Sequence, residues 1–228
     1  MLPAATVATP GRAARRLPTA AHRRRLANVN RVSAAVVSRI DEVGHALLEA
    51  ADRLLTEEGA GALTVRRMAT EAGVSTMNVY SRFGGKDGVV EQLWLKGFGL
   101  LAAAMETVGE SSDPMADLRG CGVAYRRFAI DHATLYAVMF QRVVPDFEPS
   151  PSAQEAALAT LQHLAARLER AMHAGAVRRM DPLQAAAVLW STCHGVVSLE
   201  LKDFQPPLID WEQAFTDATA AIARGLAP

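Results

Sequence analysis

From Val65 to Phe83 apolar residues recur at three- and four-residue spacing, but Ala72-Gly73-Val74-Ser75 breaks the run and Gly84-Gly85 breaks it again. Helices of about two turns are not stable alone, because nucleation costs more than so few hydrogen bonds return. They must pack on a longer neighbour. Thr64 is placed to cap the first through its side-chain oxygen, and Val65, Met68, Ala69 and Ala72 share one face. Gly73 can take the positive φ of a sharp turn without a Cβ penalty. Val74 can then point into a core while Ser75 is placed to cap the next helix by its hydroxyl. In the stretch Thr76 to Phe83, Val79 and Phe83 fall on the inner side and residues 76, 77, 78 and 82 on the outer. A further helix is predicted from Val89 to about Val108, with Asp87 in its first turn, where a negative charge suits the dipole.

Similar punctuation runs through the whole chain. Upstream, a helical pattern starts at Ser38 and carries Leu47, Ala50, Ala51, Leu54 and Leu55 before Gly59 stops it. Downstream, Asp113-Pro114 and Asp181-Pro182 place a cap before a proline at the first helical position. Asp131 is expected to open HATLYAVMF, Ser152-x-x-Glu155 reads as a capping box, Gly175 as a stop, and Asp210-x-x-Gln213 as the last start. Loops fall at Ser111–Asp113, Val144–Pro151 and Gln205–Leu208. The predicted class is all-α. A basic arm occupies residues 1–35, a three-helix helix-turn-helix unit residues 36–90, and a helical effector-binding and dimerisation half residues 91–228.

A short helix, a glycine turn and a second helix with a polar outer face suit DNA, because the major groove admits one helix whose N-terminal residues reach base edges. Thr76, Met77 and Asn78 occupy that position. Asn78 can pair bidentately with adenine, Thr76 can bond base edges and Met77 can pack on a thymine methyl. Ser75, Tyr80, Thr64 and Lys86 suit phosphates, which position the module without reading sequence, and Arg66 suits either task. The same spacing also fits an ordinary helical joint, with Tyr80 as packing and Lys86 as a solvated charge.

Charge distribution adds to this. The net charge is zero, 24 basic against 24 acidic residues, yet the first 39 residues hold eight arginines and no Asp or Glu. Three origins stay open for that arm: added phosphate contacts, a solvated tail, or an upstream start of translation. No run approaches the length of a membrane span, no signal-peptide core is evident, and Cys121 and Cys193 form no ligand pair. The expectation is a cytoplasmic protein with free thiols and no membrane partner.

The residues TVRRMATEAGVSTMNVYSRFGGKDGVVEQLW resemble the DNA-binding domain of the TetR family of bacterial repressors, and LLEAADRLLTEEG resembles that family's first helix. LWSTCHGVVSLEL, with Trp190, His194 and Gly195, is similar to the C-terminal domain of a subgroup named for a Trp-His-Gly signature. The chain departs from the family pattern at Thr76, often Lys or Arg there, at Met77, usually small, and at Arg82, frequently His or aromatic. The resemblance implies a homodimer that binds a double-stranded, pseudo-palindromic operator and is released by a small hydrophobic effector enclosed in the C-terminal half. It also implies that helices 152–174 and 182–201 pack across the two-fold axis.

Of the 13 aromatic residues, all but Tyr80 and Phe83 follow residue 90. Trp94, Phe98, Tyr125, Phe128, Tyr136, Met139, Phe140 and Trp190 are candidate lining residues, and each fits ordinary core equally. His194, four residues after Trp190, can orient a ligand by a hydrogen bond or be a buried histidine satisfied by a carbonyl or carboxylate. Gly195 inside a helix costs about 0.5–1 kcal/mol relative to Ala, which close approach of another helix would offset.

No enzyme chemistry of comparable specificity is present. GGKDG lacks the order of a phosphate-binding loop, since Asp87 stands where the Mg²⁺-holding hydroxyl belongs. The six histidines form no paired-ligand spacing, so neither a metal nor another cofactor is expected. Cys193 and His194 project about 100° apart as helix neighbours and do not make a nucleophile and base. The leading expectation is a ligand-responsive repressor. The alternative is a DNA-binding protein, architectural or partner-regulated, without small-molecule input.

Overall fold

A computed structural model describes residues 40–202 and 208–228. The basic arm, the expected start at Ser38 and residues 205–207 of the last predicted loop lie outside them. Among the described residues the chain forms nine α-helices, one 3₁₀ turn and no strand. They are α1 (Glu42–Glu58), α2 (Val65–Glu71), α3 (Thr76–Phe83), α4 (Lys86–Glu106), α5 (Pro114–Asp131), α6 (Ala133–Phe140), α7 (Pro151–His173), α8 (Pro182–Glu200) and α9 (Trp211–Gly225).

The boundaries follow from caps. Asp41 opens α1 by accepting the Gly44 N–H, so the described helix starts after Ile40. Thr64 caps α2 through the Arg67 N–H as expected. Three helices start with a capping side chain followed by proline: Asp113-Pro114, Asp181-Pro182 and Ser150-Pro151. The third corrects the expected capping box, because Ser150, not Ser152, accepts the Ala153 N–H. A proline at the first helical position loses no hydrogen bond, so the cap settles immediately before it. Asp131 is likewise not a helix start. It ends α5, paired four residues back with Arg127, and His132 forms the joint to α6. Gly59, Gly73, Gly84 and Gly175 all adopt positive φ at the stops predicted for them.

α4 begins at Lys86, three residues before the expected Val89, because Gly85 at φ 141 lets the chain reverse at once. It then runs 21 residues, across the expected boundary at 90/91, without a break. α1, α3, α5, α6 and α7 all pack on it. Val89, Val90 and Leu93 are fully buried at its near end, and Phe98, Leu101 and Met105 are buried farther along. α8 packs between α7 and α9.

Two contacts fix this rod. At its start, a Cβ on Gly88 would lie 1.7 Å from the Phe83 carbonyl oxygen, so only glycine lets α3 end so close to α4. At its end, buried Arg167 of α7 donates to the carbonyls of Met105 (3.3 Å), Val108 (2.5 Å) and Gly109 (3.3 Å), and to His163 Nε2 (3.2 Å). The helix end leaves such carbonyls short of partners, Met105 accepting the Val108 N–H as well, and a cation there complements the dipole.

Two alanine substitutions in α4 should act in opposite directions. Gly88→Ala forces backbone apart and should destabilise by about 1–3 kcal/mol or more. Gly99→Ala, where a Cβ meets open space, should stabilise by about 0.4–1 kcal/mol. Urea unfolding midpoints of the two variants against the parent check the sign of each.

Candidate functional sites

The outer face of α3 is built by what α1 and α2 hold behind it. Val79 is fully buried, while Met77 is 69% and Tyr80 55% exposed. Thr76 is exposed beside Met77, and Arg66 on α2 is exposed and makes no ion pair among the described residues. Lys86 is half-buried at the first residue of α4. Thr64, Arg66, Ser75, Thr76, Met77, Asn78, Tyr80 and Lys86 therefore all lie on or beside the short α2–α3 unit.

Ser75 does not cap α3 as expected. Its hydroxyl accepts the Asn78 side-chain amide (3.1 Å) and no backbone N–H. Asn78 Oδ1 in turn accepts from Arg82 (2.7 Å), whose other nitrogens make a two-pronged pair with Asp41 at 2.8 and 2.6 Å. A side-chain chain thus runs Asp41–Arg82–Asn78–Ser75. It leaves Asn78 one amide hydrogen and one carbonyl lone pair unused among the described residues, the kind of pair that an adenine edge requires. Sequence reading missed Asp41 and Arg82 as members, since the pair is 41 residues apart. Arg82 and the Gly44 N–H hold the Asp41 carboxyl down at about 2.

In the C-terminal half α4, α5, α6, α7 and α8 line a cavity of about 220 Å³ that is partly open to solvent. Of the candidate residues, Phe98, Tyr125, Phe140 and Trp190 line it. Trp94, Phe128, Tyr136, Met139 and His194 do not. Trp94 packs its ring on Phe98 at 4.4 Å, and Phe128 and Met139 are buried in the core. The rest of the wall comes from residues not singled out beforehand: Leu101 and Met105 of α4, Cys121 and Gly122 of α5, Leu189 and Cys193 of α8, and a run from Ala157 to Leu164 on α7. Aliphatic faces at helical spacing gave no signal distinguishing wall from core.

His194 is satisfied, but by neither a carbonyl nor a carboxylate. Its Nδ1 lies 2.7 Å from the Tyr136 hydroxyl and 3.3 Å from that of Tyr125, and its Nε2 lies 3.3 Å from Ser198 Oγ. Burial pushes its pKa below the ordinary histidine range, so it is neutral and the unfolded chain takes up its proton first. Its contribution to stability is lost as pH falls below that range. Burial also pushes Cys193 up to about 12 and raises Cys121 and Tyr125. Both cysteines are free. Gly195 faces open space within the chain, so no neighbouring helix of the same chain approaches it.

Residues 47–93 match the family described as bacterial regulatory proteins, tetR family, and residues 118–222 match the tetracyclin repressor-like C-terminal domain. The HTH-type transcriptional repressor KstR2 of Mycobacterium tuberculosis (strain H37Rv) is 34% identical over 115 residues, 50% of this chain and 54% of that protein. The match thus spans about half the length of the curated relative. Among solved structures, a protein of unknown function from Rhodococcus sp. RHA1 superposes with a TM-score of 0.72 at 27% identity, covering 83% of this chain and 98% of that one. The TetR family transcriptional regulator PfmR from Thermus thermophilus gives 0.62 at 26%, covering 80% and 99%. The fatty acid degradation regulator FadR from Bacillus halodurans shares the fold, with a TM-score of 0.65 at 18% identity over 82% and 97%.

The Asp41 carboxylate stays charged well below neutrality, so its contribution is present above the ordinary carboxylate pKa and is lost only as pH falls towards about 2. Asp41→Ala should lower the thermal unfolding midpoint more than Asp41→Asn, which keeps a capping oxygen. Each deficit should stay constant between about pH 5 and 8. Thermal scans across that range check it.

Proposed function

Because the chain belongs to the tetR family of bacterial regulatory proteins, we propose that it is a homodimeric transcriptional repressor whose grip on an operator is released by a small hydrophobic effector. The observation that carries this reading is α4, a single helix that begins one glycine pair after the outward face of α3 and ends in the wall of the cavity. An occupant pressing on Phe98, Leu101 and Met105 bears on the same rod that Gly88 welds to the end of α3. To act as a switch it need favour the released arrangement by only about 1–3 kcal/mol.

In this reading α3 enters the major groove, with Thr76, Met77 and Asn78 at base edges and Thr64, Ser75, Tyr80 and Lys86 on phosphates. Arg66 sits where it can reach either. A 69% exposed methionine at the tip of a short helix is costly in water and suits a thymine methyl. Two copies related by a two-fold axis would place these helices in successive grooves, about 34–36 Å apart. Support for pairing comes from exposed Leu199 on α8, four residues after Gly195, which is open on the same face, and from exposed Leu158 on α7, at the rim of the cavity. An apolar face of this kind needs cover.

Tyr80→Ala and Lys86→Ala should weaken DNA binding on every sequence, and Lys86→Ala should also flatten its salt dependence. Asn78→Ala should relax preference at one base position at a cost of about 1–3 kcal/mol. In vitro selection of bound sequences followed by fluorescence anisotropy separates the two patterns. Uniform loss from Asn78→Ala would remove it as a reader.

A further inference from the structure

Resting on the effector reading above, we propose that the effector is electrically neutral, largely hydrocarbon, with no more than one small polar group, and that free carboxylates are excluded. The cavity wall contains no Lys, Arg, His, Asp or Glu. The groups in it that can ionise, Cys121, Cys193 and Tyr125, are all raised by burial and stay uncharged near neutrality. A carboxylate drawn inside the cavity, away from its mouth, would meet no counter-charge among the described wall residues, and burying an unpaired ion is among the largest single penalties a protein site can impose.

Among the described residues, two arginines near the cavity are committed elsewhere. Arg167 is the closest buried one, felt by Cys121, but four of its five N–H groups are already bonded to the end of α4 and to His163. A smaller cavity of about 40 Å³ adjoins the first across Gly122, Leu189 and Cys193, and Arg119 borders it. The guanidinium of Arg119 lies 3.6 Å from Asp113 on a side chain that is 62% exposed, so its charge belongs to the surface. His194 is bound to Tyr125, Tyr136 and Ser198 behind the wall.

The wall residues that carry a side-chain hydroxyl, Tyr125 and Thr160, are neutral. The Tyr125 hydroxyl is already shared with Tyr136 and His194. Thr160 on α7 lines the cavity and its hydroxyl has no hydrogen bond among the described residues. A single hydroxyl or carbonyl oxygen on the effector finds its partner there, and the remainder meets leucine, methionine and aromatic carbon.

The test uses the full chain and three probes of one length, octan-1-ol, octanoate and octylammonium, titrated at pH 7.5 by calorimetry, with naphthalene as a bulkier neutral probe. The neutral probes should bind at least tenfold more tightly than either ion. Leu161→Trp, which fills the cavity, should cost octan-1-ol at least tenfold, and Thr160→Lys, which brings a cation to the wall, should reverse the order of octan-1-ol and octanoate. Octanoate binding the parent protein as tightly as octan-1-ol overturns the charge inference alone. Failure of every neutral probe, with operator binding intact, overturns the effector reading and this inference with it. Should Thr160→Lys not fold, the comparison on the parent protein decides.

Discussion

The close approach of two backbones at Gly88 governs the rest of the molecule. α3 is eight residues long and buries one residue fully, Val79, far too little to hold a helix of that length in place. Phe83 and Val74 add partly buried contacts to the core, and the glycine at position 88 lets the Phe83 carbonyl sit where any side chain there would be. The orientation of the outward face is thereby a property of α4. A rod of 21 residues is about 31 Å long at 1.5 Å per residue, so a tilt of a few degrees at one end displaces the other by an ångström or more.

What resists such a tilt is placed along the rod. Near the start, Glu91 accepts both the backbone N–H and the hydroxyl of Ser150, tying α4 to the first turn of α7. Beside it, the hydroxyls of Thr56 on α1 and Thr134 on α6 meet at 2.7 Å, a direct link between the helices behind α3 and those around the cavity. At the far end Arg167 grips three carbonyls. The cavity opens between these fixed points, at Phe98, Leu101 and Met105, where α4 faces space and not a neighbour. The deformable stretch of the rod is thus the stretch an occupant would touch.

The parts of this arrangement that were legible in the sequence are those decided by local chemistry. Positive φ at Gly59, Gly73, Gly84 and Gly175, the caps at Thr64, Asp113, Asp181 and Asp210, and the buried spacing of Val79 follow from what each residue does to its own turn. Local rules misled where two local partners compete: Ser75 is a good cap by type, yet Asn78 three residues on takes its hydroxyl, and Ser150 wins over Ser152 because proline fixes the turn after it. The cavity was half legible for another reason. Aromatic enrichment pointed to the right helices, but a wall differs from a core only in what fails to fill the space opposite, and α7 contributes its small and aliphatic residues from Ala157 to Leu164 to that failure. Distance in the chain hid the rest. Nothing near Arg82 announces Asp41, and nothing near His194 announces tyrosines 58 and 69 residues earlier.

The Tyr125–Tyr136–His194–Ser198 group explains why a cavity with such a polar neighbour can remain uncharged. Two tyrosine hydroxyls and a serine share the two ring nitrogens of one neutral histidine, so each buried polar atom spends its capacity on the others. The rings of Tyr136, Phe140 and Trp190 lie around that imidazole at 5.2 to 5.7 Å, and Phe140 and Trp190 line the cavity. A ligand meets the carbon face of a polar cluster, not its hydrogen-bonding edge. The same helix carries Gly195 next to the cluster, with no neighbour among the described residues. A mid-helix glycine there has a cost of about 0.5–1 kcal/mol that no contact among the described residues offsets, and in the proposed pairing the covering partner would offset it. α8 would then carry the polar back of the effector site and the pairing surface side by side, so that filling the cavity and holding two copies in register become demands on the same helix.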